Sequence, residues 1–120
     1  MAADKTILVV EDSPGIREAL KGLLEAEGYQ VELAANGREA LDILERIPRP
    51  CLILLDLMMP DMDGWAFTAM REKDLRLAPI PLVVVSGAPN IEAPSGPGRV
   101  IKKPIDLNIL KELVRDYCQC

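Results

Sequence analysis

Five polar side chains stand where apolar runs stop. Glu11 and Asp12 follow TILVV, Asp56 follows CLILL, Ser86 ends PLVVVS, and Lys103 follows RVIK. Gathered in one place, three carboxylates, a hydroxyl and an ammonium would suit phosphoryl chemistry. Two carboxylates about 4 Å apart repel by roughly 4 kcal/mol at an effective dielectric near 20. Either their pKa values rise or a cation joins them. The chain has no histidine, and oxygen ligands alone suit a hard cation such as Mg²⁺. A lysine point charge and a hydroxyl beside such a site match the needs of phosphoryl oxygens. A carboxylate is a weak nucleophile, but aspartyl phosphates are an established covalent mode. The stretch LILLDLMMPDMDG fits this reading. The strand holds Asp56 on rigid support, and the turn after it leaves room for metal and donor.

These residues can act together only if the chain brings the ends of its apolar runs together. Thr6–Val10 is short, continuous and β-branched, the pattern of a strand buried on both faces. Ser13 can cap a helix with Pro14 in its first position, and Ile16, Ala19, Leu20, Leu23 and Leu24 share one face until Gly28 stops it. Tyr29–Ala34 reads as a second strand, Asn36 and Gly37 as a turn, and a second helix should bury Ala40, Leu41, Leu44 and Ile47. Cys51–Leu55 is the third strand. A third helix is expected from about Asp63, its cap, to Asp74, with Phe67 and Met70 in the core. Pro81–Ser86 and Arg99–Lys102 complete the strands. Asp106 can cap a last helix burying Leu107, Leu110, Leu113, Val114 and Tyr117. Strands alternating with helices predict a parallel sheet covered on both faces. In such a sheet the carboxyl ends of the strands share one crevice. Taken singly, each of the five residues is more often a cap, a turn or a surface group. Each standing at the end of its own strand reverses that judgement.

The 120 residues fit one domain spanning 1–120, and the formal net charge of −5 is a poor match to nucleic acid. No apolar run is long enough to cross a bilayer, so a soluble, cytoplasmic chain is expected. Cys51 reads as a small buried hydrophobe, and Cys118 and Cys120 as loose reduced thiols on a frayed tail.

With these residues in place, the chain resembles the receiver domains of two-component response regulators. The resemblance rests on LVVEDSPGIREAL, LDLMMPDMDGW, VVVSG and KKPI, in this order and spacing, and covers nearly the whole chain. It implies a flavodoxin-like, doubly wound sheet of order 2-1-3-4-5 in three α/β/α layers. It implies that Asp56 accepts a phosphoryl group from a histidine kinase or histidine phosphotransfer protein. Glu11, Asp12, Asp56 and the Met58 backbone carbonyl would hold Mg²⁺. Lys103 would contact the phosphoryl oxygens before a cis bond to Pro104, Ser86 would swing toward the phosphoryl group, and Gly87 would keep the approach open. The domain would promote only its own phosphorylation and dephosphorylation, as a monomer or a phosphorylation-dependent dimer. Its downstream target is not legible.

Two departures stand out. The family has a helix between strands four and five. Here Gly87–Gly98 carries three prolines and three glycines, so that helix is expected to be lost or reduced to a turn. The strand-five aromatic that many receivers use is Val100 here. Alternatives are a phosphorylation-independent interaction module with the same fold, or an aspartyl-nucleophile hydrolase. The latter commonly has a second aspartate where this chain has Met58. No P-loop occurs.

Overall fold

The computed structural model describes residues 5–56, 64–86, 98–102 and 106–118, with side chains except at 64–68, 86, 98–100 and 102. Five strands, β1 (Thr6–Val10), β2 (Gln30–Ala34), β3 (Leu52–Asp56), β4 (Leu82–Ser86) and β5 (Gly98–Lys102), form one parallel sheet of order β2-β1-β3-β4-β5. Four helices are described: α1 (Pro14–Ala26), α2 (Gly37–Arg46), α3 (Gly64–Lys73) and α4 (Leu107–Cys118). The expected loss of a helix between strands four and five concerns residues 87–97, outside the described residues.

Successive side chains of a strand point to opposite faces, and the core divides accordingly. Ile7, Val9, Leu52, Leu54 and Val83 pack with Leu20 and Leu24 of α1 and with Leu110, Leu113 and Val114 of α4. Leu8, Val10, Ile53, Leu55, Leu82 and Val84 pack with Ala40, Ile43 and Leu44 of α2 and with Leu77 and Ile80. Each fully buried aliphatic side chain contributes roughly 1.5–3 kcal/mol. The two clusters hold the central strands from both sides.

The helix ends follow local chemistry. Ser13 Oγ accepts from the Ile16 N–H at 3.5 Å, and Pro14 occupies the first turn. Gly28, at φ 97°, turns the chain after α1. Asn36 is a cap, not merely a turn residue: its Oδ1 accepts from the Glu39 N–H at 2.9 Å. Glu39 reaches back to the Ala35 N–H at 2.9 Å. Asp106 Oδ1 accepts from the N–H groups of Asn108 and Ile109 at 2.9 and 3.3 Å.

Several expected core positions differ. Ile16, Met70 and Leu107 are 36%, 48% and 50% exposed, and Ala19 is exposed too. Ile16 and Leu107 lie in the first turns of their helices, before the face that packs on the sheet. Beside Met70 it is Arg71 that turns inward, fully buried. Its Nη2 donates to the carbonyls of Ala78 and Ile80 at 3.0 and 2.6 Å, fixing the turn into β4. The cysteine reading also needs correction. Cys118 is not on a frayed tail but in the buried face of α4, and it forms a disulfide with Cys51. Cys120, Asp63 and the side chain of Phe67 lie outside the described residues.

Candidate functional site at the carboxyl end of the sheet

β1 and β3 are neighbours, with Val10 paired to Leu55. Glu11 follows Val10 directly, and Asp56 ends β3. Glu11 continues the parity of Ile7 and Val9, and Asp56 that of Leu52 and Leu54, so strand pleating sends both carboxylates to the same side. Both are buried, while Asp12 is exposed. One carboxylate oxygen from each of Glu11, Asp12 and Asp56 lies within 4.8 Å of the others. At that spacing, each pair of charges repels by roughly 3–4 kcal/mol at an effective dielectric near 20. The floor is apolar, with Val10, Leu20, Leu54 and Val85 around a cavity of about 10 Å³.

The acidic loop is held by its own backbone. The Glu11 N–H donates to the Ala34 carbonyl at 3.0 Å, extending the β1–β2 ladder by one residue. The Ser13 N–H donates to Glu11 Oε2 at 3.1 Å, which orients that carboxylate. Arg17 was not foreseen. Its Nη1 donates to the carbonyls of Glu11 and Asp12 at 2.9 and 3.0 Å. The guanidinium thus clamps the backbone of the acidic loop from the first turns of α1. A signal was present in the sequence: an arginine four residues past the helix cap can reach back over the preceding loop.

The structure therefore brings together three of the expected residues, Glu11, Asp12 and Asp56. Ser86 is the last residue of β4, paired in register with Lys102 of β5, at the same end of the sheet. Its side chain is outside the described residues, as are Met58, Gly87, Lys103 and Pro104. The donor set fits a hard divalent cation: three carboxylate oxygens, two of them on side chains held at strand ends, with no nitrogen or sulfur donor in the cluster among the described residues.

Comparison with known proteins agrees with this architecture. The family described as the response regulator receiver domain matches residues 7–115. The response regulator Rre1 of Synechocystis is 34% identical over 97% of this chain, which spans only 52% of that relative's length. Sporulation initiation phosphotransferase F of Bacillus subtilis is 34% identical, with 95% of this chain and 94% of the relative covered. Among solved structures, the signal receiver domain of a histidine kinase from Syntrophus aciditrophicus superposes with a TM-score of 0.83 at 35% identity. That match covers 95% of this chain and 89% of the other.

Proposed function

This chain belongs to the response regulator receiver family, and on that premise we propose that Asp56 is its phosphoacceptor, charged by a histidine kinase or a histidine phosphotransfer protein. The observation that carries the reading is the trio Glu11, Asp12 and Asp56, whose oxygens lie within 4.8 Å at the carboxyl end of β1 and β3. An Asp56 carboxylate oxygen forms the new P–O bond as the donor's P–N bond breaks, and the departing imidazole takes up a proton. Glu11, Asp12 and Asp56, with the Met58 carbonyl, are the residues that would hold Mg²⁺. A bound Mg²⁺ supplies charge compensation for the carboxylates and the incoming phosphoryl oxygens. The Ser13 N–H and Arg17 fix the ligand loop through Glu11 and the backbone. Lys103 and Ser86 follow as the groups that contact and sense the phosphoryl oxygens. Phosphorylation adds about −1.5 to −2 charge near neutral pH, which biases the surface that partners read. The domain does no chemistry on other substrates in this reading, and works in the cytoplasm. No helix among the described residues is long and apolar enough to cross a membrane.

The test is intact-protein mass spectrometry after incubation with Mg²⁺ and acetyl phosphate. One labile phosphoryl adduct is expected, absent from Asp56→Asn and from a metal-free sample. An adduct that survives in Asp56→Asn refutes the assignment. Failure of both acetyl phosphate and a panel of phosphorylated kinases, together with no Mg²⁺ binding, favours a phosphorylation-independent interaction module.

A further inference from the structure

Cys51 and Cys118 are 67 residues apart in sequence and joined across a Cα–Cα distance of 5.2 Å. The two ends of this bond are supported differently. Cys51 stands one residue before β3, and its N–H donates to the Thr6 carbonyl at 2.9 Å. Its backbone is thereby part of the sheet, and its side chain is half-buried. Cys118 is the last residue of α4, and its side chain is buried with Leu110, Leu113 and Val114. The last carbonyls of a helix lack intrahelical partners, and helix ends open at little cost. On the same side of the sheet, the ion pair from Lys111 to Glu27, 3.8 Å long and about a third exposed at each end, holds α4 only weakly to the end of α1. Breaking the S–S bond therefore leaves the Cys51 backbone in the sheet and removes the covalent tie on the last turn of α4.

We propose that Cys51 and Cys118 form a reversible redox site, in which oxidation by a small disulfide such as glutathione disulfide pins the last turn of α4 to the amino end of β3. Cys51, the more exposed sulfur, attacks as the thiolate. An S–S bond to glutathione forms, and one glutathione thiolate leaves. The Cys118 thiolate then attacks the Cys51 sulfur of this mixed disulfide and displaces the second glutathione. Two protein thiols are oxidised, one glutathione disulfide is reduced to two thiols, and the two protons pass to the glutathione thiolates. This site lies at the end of the sheet opposite Asp56 and does not depend on phosphoryl transfer.

The full chain is equilibrated in glutathione buffers from fully reduced to fully oxidised, quenched in acid, alkylated and weighed. Two thiols should disappear in one transition, and peptide mapping should join Cys51 to Cys118. Cys120→Ser should keep the transition, and Cys51→Ser should abolish it. Amide exchange near the end of α4 should be about tenfold slower in the oxidised protein than in the reduced wild type. The comparison of wild type with itself holds even if a variant folds poorly. Independent modification of single thiols, a link through Cys120, a bond that survives full reduction, or equal exchange in both states would overturn the proposal.

Discussion

At the carboxyl end of the sheet, Glu11 and Asp56 are 4% and 6% exposed and crowd with Asp12 within 4.8 Å. At the amino end, the equally buried Arg71 meets the carbonyls of Ala78 and Ile80. Both regions place charge where water is scarce. In the first, like charges crowd together, and their mutual repulsion is what a bound divalent cation would offset. In the second, one cation donates to two carbonyls and ties down the turn before β4. Burial of an ionised group therefore does not identify a functional site. The sign of what faces it separates the two cases. Burial pushes the Arg71 guanidinium below its usual pKa, with neighbouring Glu72 acting the other way.

The largest stability effect is expected at the amino end. Arg71→Met keeps an apolar stem of similar length but leaves the Ala78 and Ile80 carbonyls without this donor. A buried hydrogen bond from a charged group is worth about 1.5–3 kcal/mol, so a loss of about 3 kcal/mol is expected from the pair. Urea unfolding measures it as a lower midpoint at unchanged slope. A loss below about 0.5 kcal/mol, within the usual range of surface substitutions, would place the turn's stability elsewhere and erase the contrast.

A change of opposite sign is expected at the carboxyl end. Asp12→Asn removes one of three mutually repelling charges, and Asp12 is exposed enough for solvent to screen much of the effect. Without divalent cation the variant should be more stable than wild type by about 1 kcal/mol. Saturating Mg²⁺ should reverse the order, because a ligand present at about 100 times its Kd adds about 2.7 kcal/mol to the protein that binds it. Thermal melts with and without Mg²⁺ read both halves. Equal shifts in the two proteins would show that Asp12 takes no part in holding the cation.

The same contrast explains what the sequence could reveal. The sheet was legible because parallel strands buried on both faces are continuous aliphatic runs, as TILVV and CLILL are. The acidic trio was legible because its carboxylates stand together at the ends of such runs, which a parallel sheet gathers into one crevice. Arg71 was not legible. Arginine is almost never fully buried, and its partners are backbone carbonyls, which sequence does not distinguish. Cys118 was within reach of the pattern. Leu110, Val114 and Cys118 are spaced by four, but a cysteine third from the end of the sequence reads as tail. Arg17 left a partial trace: its place four residues past the Ser13 cap is visible in the sequence, but its contacts, to the backbone of the acidic loop, are not. Both arginines organise turns, one at the acidic trio and one at the opposite end of the sheet.

The smallest effect concerns a carboxylate at the amino end, in the turn before β4. Asp74, in the turn that Arg71 supports, accepts at 2.8 Å from the Arg76 N–H and at 3.4 Å from its guanidinium. The Arg76 N–H, aided by that guanidinium and the Leu77 N–H, holds the Asp74 carboxyl below the usual carboxylate range, against a desolvation acting in the other direction. A pKa lowered on folding contributes stability above the unfolded value, and the contribution disappears as pH falls through the folded one. Asp74→Asn should therefore lower the urea midpoint slightly at neutral pH and leave it unchanged in strong acid, where wild-type Asp74 is itself protonated. A midpoint difference for Asp74→Asn that persists in strong acid would mean that the amide fits the turn badly and that the charge of Asp74 has no part in its stability.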